Sequence, residues 1–318
     1  MNIPEELLTV RDWLRWAVTR FHQSRLYFGH GSDNALSEAT YLIAHTLALP
    51  FDQLDSFLDA RLTLPEKTQL RKILDRRIEE RIPAAYLTQE AWLGDFRFYV
   101  DERVIIPRSF IAELMPDRLS PYLPDRHDVK NALDLCTGSG CLAILMADAY
   151  PNADIDAVDI SLPALEVAQR NIDDYHLTDR ITLIRSNYTD NLPKNKRYDL
   201  IISNPPYVTG EAMQNLPREY RHEPELALAG GVDGLDAVHH ILKNAPRLLQ
   251  PHGIVVVEIG HNRAIVEVAY PNLPFVWLDT GSSEDSVFLL TRDDLAEYTP
   301  PSSKQTEPIS ASQIGAHR

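Results

Sequence analysis

Asp134-Leu135-Cys136-Thr137-Gly138-Ser139-Gly140 decides the fold of this 318-residue chain. The apolar run Val129–Cys136 leads into it and reads as a buried strand, and Cys141–Tyr150 reads as the helix that follows. Glycines at such a junction permit a tight turn and let a ligand approach the backbone. About 20 residues on, the strand Asp154–Asp159 ends in an acid, where a carboxylate takes both hydroxyls of a ribose. Outward from there the chain keeps alternating. The pattern predicts a helix at Pro163–Asp174, strands at Ile181–Arg185 and Tyr198–Ser203, and a helix at Leu235–Leu249 with a kink or break at Pro246. It continues with a strand at Gly253–Glu258, a helix at Arg263–Ala269, and closing strands at Phe275–Leu278 and Val287–Leu290. Strands alternating with helices predict an α/β, Rossmann-like, mostly parallel sheet with helices on both faces.

A glycine turn followed by an acid fits two cofactor classes. A dinucleotide site asks for G-x-G-x-x-G, and here the run is Gly138-Ser139-Gly140-Cys141-Leu142-Ala143, whose last position is allowed to be alanine. S-adenosylmethionine carries no pyrophosphate, so its site tolerates an acid in the loop. Asp134, just before the glycines, suits the ammonium and sulfonium end of that cofactor; the plainer reading is that it caps local amides.

The segment Ile201-Ile202-Ser203-Asn204-Pro205-Pro206-Tyr207 decides between them. A strand stops at Asn204 and two prolines then fix the backbone. Asn-Pro and Pro-Pro also mark ordinary turns. A rigid strand end carrying an amide and an aromatic ring suits methylation of a planar nitrogen, whose delocalised lone pair makes it a poor nucleophile. Asn204 Oδ1 and the Pro205 carbonyl are placed to accept its two N–H bonds, and Tyr207 to stack on the flat group. Fixing two reactants in this way supplies on the order of 7–11 kcal/mol of a barrier, and preset dipoles stabilise the positive charge that develops.

Residues 1–85 read as a helical unit. Leu7, Val10, Trp13, Leu14, Ala17, Val18 and Phe21 stand at helical spacing, as do Leu36, Ala39, Ile43 and Leu47. Thr63-Leu64-Pro65-Glu66 is a capping box with proline in the first turn. The charges of the helix it starts, including Arg71, Arg76, Arg77 and Arg81, read as a solvated face. His22 and His30, with no partner at metal spacing, read as surface or capping residues. In residues 86–128, Phe96, Phe98 and Val100 and then Val104-Ile105-Ile106 predict a hairpin turning near Asp101-Glu102, with a short helix including Glu113 and a proline-rich linker after it. Residues 129–295 form the sheet domain, and residues 296–318 read as a disordered tail.

Composition narrows the function. A net charge of −15 argues against gripping a phosphate backbone and is compatible with steering a basic partner. The two cysteines, Cys136 and Cys141, imply a reducing cytoplasm and neither a disulfide framework nor a metal site. No run is long and apolar enough to span a bilayer, and the acidic start with Glu5, Glu6 and Asp12 is no signal peptide.

Together, Asp134–Gly140, Asp159 and Asn204–Tyr207 resemble the class I methyltransferases that act on glutamine side chains of translation proteins. Tyr86-Leu87, Phe98 with Val100, Val104–Arg108 and the helical start resemble the same family, so the likeness spans roughly residues 5–295. Tyr27-Phe28-Gly29-His30-Gly31, Pro107-Arg108-Ser109 and Glu219–Glu225 look like the branch that modifies large-subunit ribosomal protein L-three; the sibling branch modifies peptide chain release factors. Gln89, where release-factor relatives often have glycine, favours the ribosomal branch. The resemblance implies S-adenosylmethionine as cofactor, held by Asp134, Thr137, Gly138, Ser139, Gly140, Asp159, Asn187 and Asn204. In relatives an acid often stands in place of Asn187 near the adenine. It implies Asn204, Pro205, Pro206 and Tyr207 around the substrate glutamine, with Asn204, Pro205 and Tyr207 catalytic. Glu223 and Pro224 would shape a loop over the site or simply brace it. The helical unit would recognise the ribosomal protein, free or in an assembly intermediate, with no membrane and no sequence-specific nucleic acid as partner. A DNA adenine methyltransferase shares the Asn-Pro-Pro-Tyr logic but must flip a base and grip phosphates, and the chain has no dense basic stripe. A non-catalytic cofactor-binding assembly module would keep Asp134 and Asp159 without needing Asn204.

Overall fold

The computed structural model describes residues 6–298 apart from 118 and 124; most of the tail, 299–318, lies outside the described residues. Helices Val10–Gln23, Ala35–Thr46 and Leu64–Asp75 pack around Trp13, Phe21, Leu42, Ile43, Leu70 and Leu74, all fully buried. All three helix starts are capped as their sequences dictate, the second by Asn34, whose side chain accepts the Ser37 N–H. Thr9 with Asp12 and Thr63 with Glu66 form capping boxes, each satisfying donors that a helix start leaves without partners. The third helix does not stop at Asp75. It continues as a wider turn, Arg76–Glu80, which swings Arg77 inward until it is 1% exposed. The face read as solvated is therefore solvated only in part.

The hairpin lies one strand upstream of its predicted place. Strand β1, Glu90–Leu93, pairs antiparallel with β2, Phe96–Tyr99, and the turn falls at Gly94, whose φ of +58° suits glycine. Val104–Ile106 is not a strand. Asp101 accepts from the Tyr99 hydroxyl and from the Arg103 N–H and guanidinium, which tightens the chain there. The buried backbone beyond is satisfied by side chains: the Val104 carbonyl accepts from the Tyr86 hydroxyl, and the Ile106 N–H donates to Glu223.

The sheet has seven strands: β3 Asn131–Leu135, β4 Asp154–Asp159, β5 Ile181–Arg185, β6 Tyr198–Ser203, β7 Leu249–Glu258, β8 Val276–Trp277 and β9 Val287–Thr291. Their order is β5-β4-β3-β6-β7-β9-β8, parallel through β7 and antiparallel at β9 and β8. Successive residues alternate between two cores. Ala132, Ile155, Leu200, Ile202 and Val256 meet the helices Cys141–Ala149 and Leu162–Asp174, whereas Leu133, Val158, Ile201, Val255 and Val257 meet Asp236–Leu248. That last helix runs through Pro246 without ending. The helix Arg292–Glu297 crosses residue 295, the boundary read from the sequence, and Tyr298 still packs on the second core. The strand order reverses between β3 and β6, and a ligand of an open α/β sheet sits at such a reversal, beyond the carboxyl ends of the strands.

Candidate active site

At that reversal Leu135 and Ser203 are register partners, and the Ser203 hydroxyl donates to the Leu135 carbonyl at 2.7 Å. The next residue on each strand, Cys136 and Asn204, therefore opens onto one space. A cavity of about 140 Å³ lies there, walled by Cys136, Gly138, Asp159, Ile160, Ser186, Asn187, Tyr188, Asn204 and Pro206. Val104 and Ile105 close one part, and Pro224, Leu226, Ala227 and Ala229 another. Among the described residues, no lysine or arginine lines it.

The glycine loop is held open from below. Cys136, Gly138 and Gly140 all have positive φ, at 62°, 54° and 80°. A Cβ on Gly140 would stand 3.2 Å from Ala168 Cβ, so the helix beneath packs on the bare backbone. Asp134 is fully buried. Its Oδ2 accepts from the Thr137 hydroxyl at 2.5 Å and the Ala143 N–H at 3.1 Å, and its Oδ1 has no partner among the described residues. Burial pushes its pKa up to about 7, against the pull of those two bonds. Thr137 and Ser139 are buried too, at 4% and 2% exposure. Of the glycine-loop residues predicted to touch cofactor, Gly138 reaches the cavity wall; Asp134, Thr137, Ser139 and Gly140 do not, and they shape the loop from behind.

Asp159, at the end of β4, stands on the cavity wall beside the glycine loop. Its Oδ2 accepts the Gly138 N–H and its Oδ1 the Ser161 N–H, each at 2.9 Å. Burial raises its pKa while those amides oppose the rise. Each oxygen retains a further lone pair for a hydroxyl. Asn187 lines the cavity beside it, with its amide 3.3 Å from Asp190.

Asn204 is half-buried on the cavity wall, and its side chain makes no hydrogen bond among the described residues. Pro206 joins it there, while Pro205 is buried. Tyr207 turns the other way. Its ring lies against Gly260, where a Cβ would come within 2.6 Å, and its hydroxyl is 3.4 Å from Glu258. The loop that follows is pinned by the Asn262 amide on the Tyr207 carbonyl and by pairing of Val208 with Leu228 and Gly230.

Sequence reasoning missed the groups that tie the helical unit to this site. Arg77 donates to Glu38 at 2.6 Å and lies 3.5 Å from Glu219. Glu219 also accepts from Arg81 and from the Tyr27 N–H. His30, read as a surface residue, is 4% exposed, with Nε2 3.6 Å from Glu223 and its ring 4.4 Å from Tyr220. The run of paired charges in Glu219–Glu225 was the available signal. Asn171 was also missed; it bridges Tyr99 of the hairpin to the Ser139 carbonyl. A larger cavity, about 770 Å³, opens between the helical unit and the hairpin and includes neither the glycine loop nor Asn204.

Known proteins sharpen this picture. The family model described as the PrmC N-terminal domain matches residues 12–88, and the one described as the Methyltransferase small domain matches residues 117–219. The chain is 58% identical to the ribosomal protein uL3 glutamine methyltransferase of Neisseria meningitidis over 291 residues, 92% of this chain and 95% of that one. The chain belongs to the uL3 glutamine methyltransferase family. The enzyme of the same description from Burkholderia pseudomallei is 55% identical over 92% of this chain and 97% of its own, and that from Bordetella pertussis 55% over 92% and 98%. The protein is thus an S-adenosylmethionine-dependent methyltransferase, and the cavity fits that cofactor. Both Asp159 oxygens stand at the cavity wall with lone pairs left to accept from a diol, and Gly138 brings bare backbone to the same wall.

Proposed function

We propose that this enzyme methylates the side-chain amide nitrogen of a glutamine in ribosomal protein uL3. The observation that carries the reading is Asn204: a side-chain amide on the cavity wall, on the rigid loop after β6, unclaimed by any other group among the described residues. S-adenosylmethionine, when bound, supplies an electrophilic methyl carbon on a sulfonium. Asn204 Oδ1 and the Pro205 carbonyl accept the two N–H bonds of the glutamine amide and hold its nitrogen toward that carbon. The S–CH3 bond of the sulfonium would break as the N–C bond forms, with S-adenosylhomocysteine leaving, and the Asn204 and Pro205 dipoles would stabilise the charge appearing on the glutamine nitrogen. The product amide then sheds one proton to water, so no side chain has to act as a strong base. Tyr207 contributes by fixing the loop through Glu258 and Gly260. Asp159, Gly138 and Asn187 hold the nucleoside end.

The names of the relatives favour uL3 over release factors, and a net charge of −15 disfavours gripping the phosphates of DNA. We place the reaction in the cytoplasm, where ribosomal proteins are made, with uL3 either free or in an assembly intermediate. Among the described residues no helix is long and apolar enough to cross a membrane. The test is labelled-methyl transfer to separated ribosomal proteins and to release factors, side by side, with wild type and Asn204→Ala. Label in uL3, lost in the variant while cofactor still binds, is the expected result; full activity of Asn204→Ala would refute the assigned role.

A further inference from the structure

Glu223 joins two cavity walls that are far apart in sequence: it precedes Pro224 on one and bonds Ile106, next to the other. Pro224, which follows it, lines the cavity; so do Val104 and Ile105, which precede Ile106. Its side chain is fully buried. Oε1 accepts the Ile106 N–H at 3.1 Å and Arg108 Nη1 at 2.5 Å, and Oε2 accepts Arg108 Nη2 at 2.6 Å. A two-pronged arginine–carboxylate pair is planar and holds its geometry better than a single bond. The Arg108 guanidinium is itself steadied by the Tyr220 ring, 5.2 Å away. His30 adds a contact from the helical unit.

We propose that Glu223 is a positioning residue for methyl transfer: through Arg108 and the Ile106 amide it sets the spacing of the Val104–Ile105 and Pro224–Ala227 walls, and with it the approach of substrate nitrogen to methyl carbon. The same segment is anchored at Glu219 by Arg77, Arg81 and Tyr27, so the helical unit holds this wall as well. Burial opposes the charge on Glu223, yet the two-pronged bond from Arg108 outweighs it and holds the carboxyl well below the usual carboxylate range. A misplacement of about 1 Å costs a transfer reaction on the order of a hundredfold.

This inference rests on the function proposed above, and its test separates the two. In the full-length enzyme, Glu223→Gln keeps the shape and one acceptor oxygen and loses the ionised pair. The expected result, per site that binds S-adenosylhomocysteine by calorimetry, is a fall in kcat of at least about tenfold, a KM for uL3 within about threefold, and a weaker S-adenosylhomocysteine Kd. Glu223→Gln combined with Arg108→Gln should be no worse than the poorer single variant, because both break one clamp. Arg108→Lys keeps the charge and loses the fork, so it should reproduce the kcat loss with an unchanged Tm, and it decides the matter if Glu223→Gln does not fold. Wild-type kcat per binding site in Glu223→Gln or Arg108→Lys, or additive losses in the double variant, would overturn the proposal. A wild type that transfers no methyl to any protein counts against the function above, and the S-adenosylhomocysteine affinities then decide this inference alone: equal values overturn it.

Discussion

The Tyr207 hydroxyl donates toward Glu258 Oε1 at 3.4 Å, and the other oxygen of that carboxyl accepts from the Ser109 hydroxyl at 2.6 Å and the Phe110 N–H at 2.9 Å. The loop after β6, the end of β7 and the segment after Pro107 therefore meet at one buried acid. Burial pushes Glu258 up to about 7, against the pull of the Ser109 and Tyr207 hydroxyls and the Phe110 and Ile111 amides. Between the ordinary carboxylate pKa and 7 the folded chain keeps a proton that the unfolded chain has released. Stability thus falls as pH rises through that window. The full effect is on the order of 3 kcal/mol. Asp134, also pushed up to about 7, adds a second contribution of the same sign. Urea unfolding from pH 5 to 8 should show this decline, and Glu258→Gln should remove about half of it. An unchanged slope in the variant would mean that Glu258 is ionised throughout.

Gly230 sets how closely the loop after β6 packs. A Cβ there would lie 2.7 Å from Tyr207 Cα and 2.8 Å from the Pro206 carbonyl oxygen, both backbone atoms that cannot swing aside. Gly230→Ala must displace Asn204-Pro205-Pro206-Tyr207 as a body. The expected loss is on the order of a hundredfold in kcat, with a stability cost of about 1–3 kcal/mol. Activity within threefold of wild type would show that the loop has slack.

These two sites divide what could be read from sequence from what could not. The parallel strands were legible because each is a short apolar run ended by a turn, and the bounds of β4, β5 and β6 fall where the pattern puts them. The cavity was legible because Asp159, Gly138 and Asn204 end elements that the topology brings together. The hairpin was misplaced because Val104–Ile106 looks like a strand, and only long-range donors and acceptors, Tyr86 and Glu223, show that its backbone needs no ladder. Arg77 and His30 were misread for a related reason. A charged helix face is usually wet, and what buries this one is Glu219, 142 positions along the chain from Arg77. Gln89 has a local cause that the sequence hides: it sits at φ +55°, where glycine is easier, with its amide 3.3 Å from the Tyr99 hydroxyl.

Arg77 gives a prediction about how the helical unit is joined on. Its guanidinium is buried between Glu38 and Glu219 and also donates to the Tyr27 carbonyl at 2.9 Å. Arg77→Met fills similar space but leaves two buried carboxylates facing each other. The expected destabilisation is about 3–5 kcal/mol. Adding Glu38→Gln removes one of the stranded charges and should restore part of that loss. Denaturant midpoints of the two variants measure this, and a double variant weaker than the single one would contradict it.

Asp159 and Asn204 test the two halves of the proposed active site separately. Both Asp159 oxygens accept backbone N–H groups, from Gly138 and Ser161, so Asp159→Asn turns an NH₂ toward one of those donors. The mismatch costs about 1–3 kcal/mol. It falls on the glycine loop and on the nucleoside end of the cavity, where it should weaken S-adenosylhomocysteine by about tenfold to a hundredfold. Asn204 touches neither amide, so Asn204→Ala should leave that affinity within about threefold of wild type while turnover disappears. Calorimetric titration of both variants, run beside the transfer assay, distinguishes the two roles. If the Asp159 variant bound the nucleoside as tightly as wild type, the ribose would have to lie elsewhere along the β3–β4 edge.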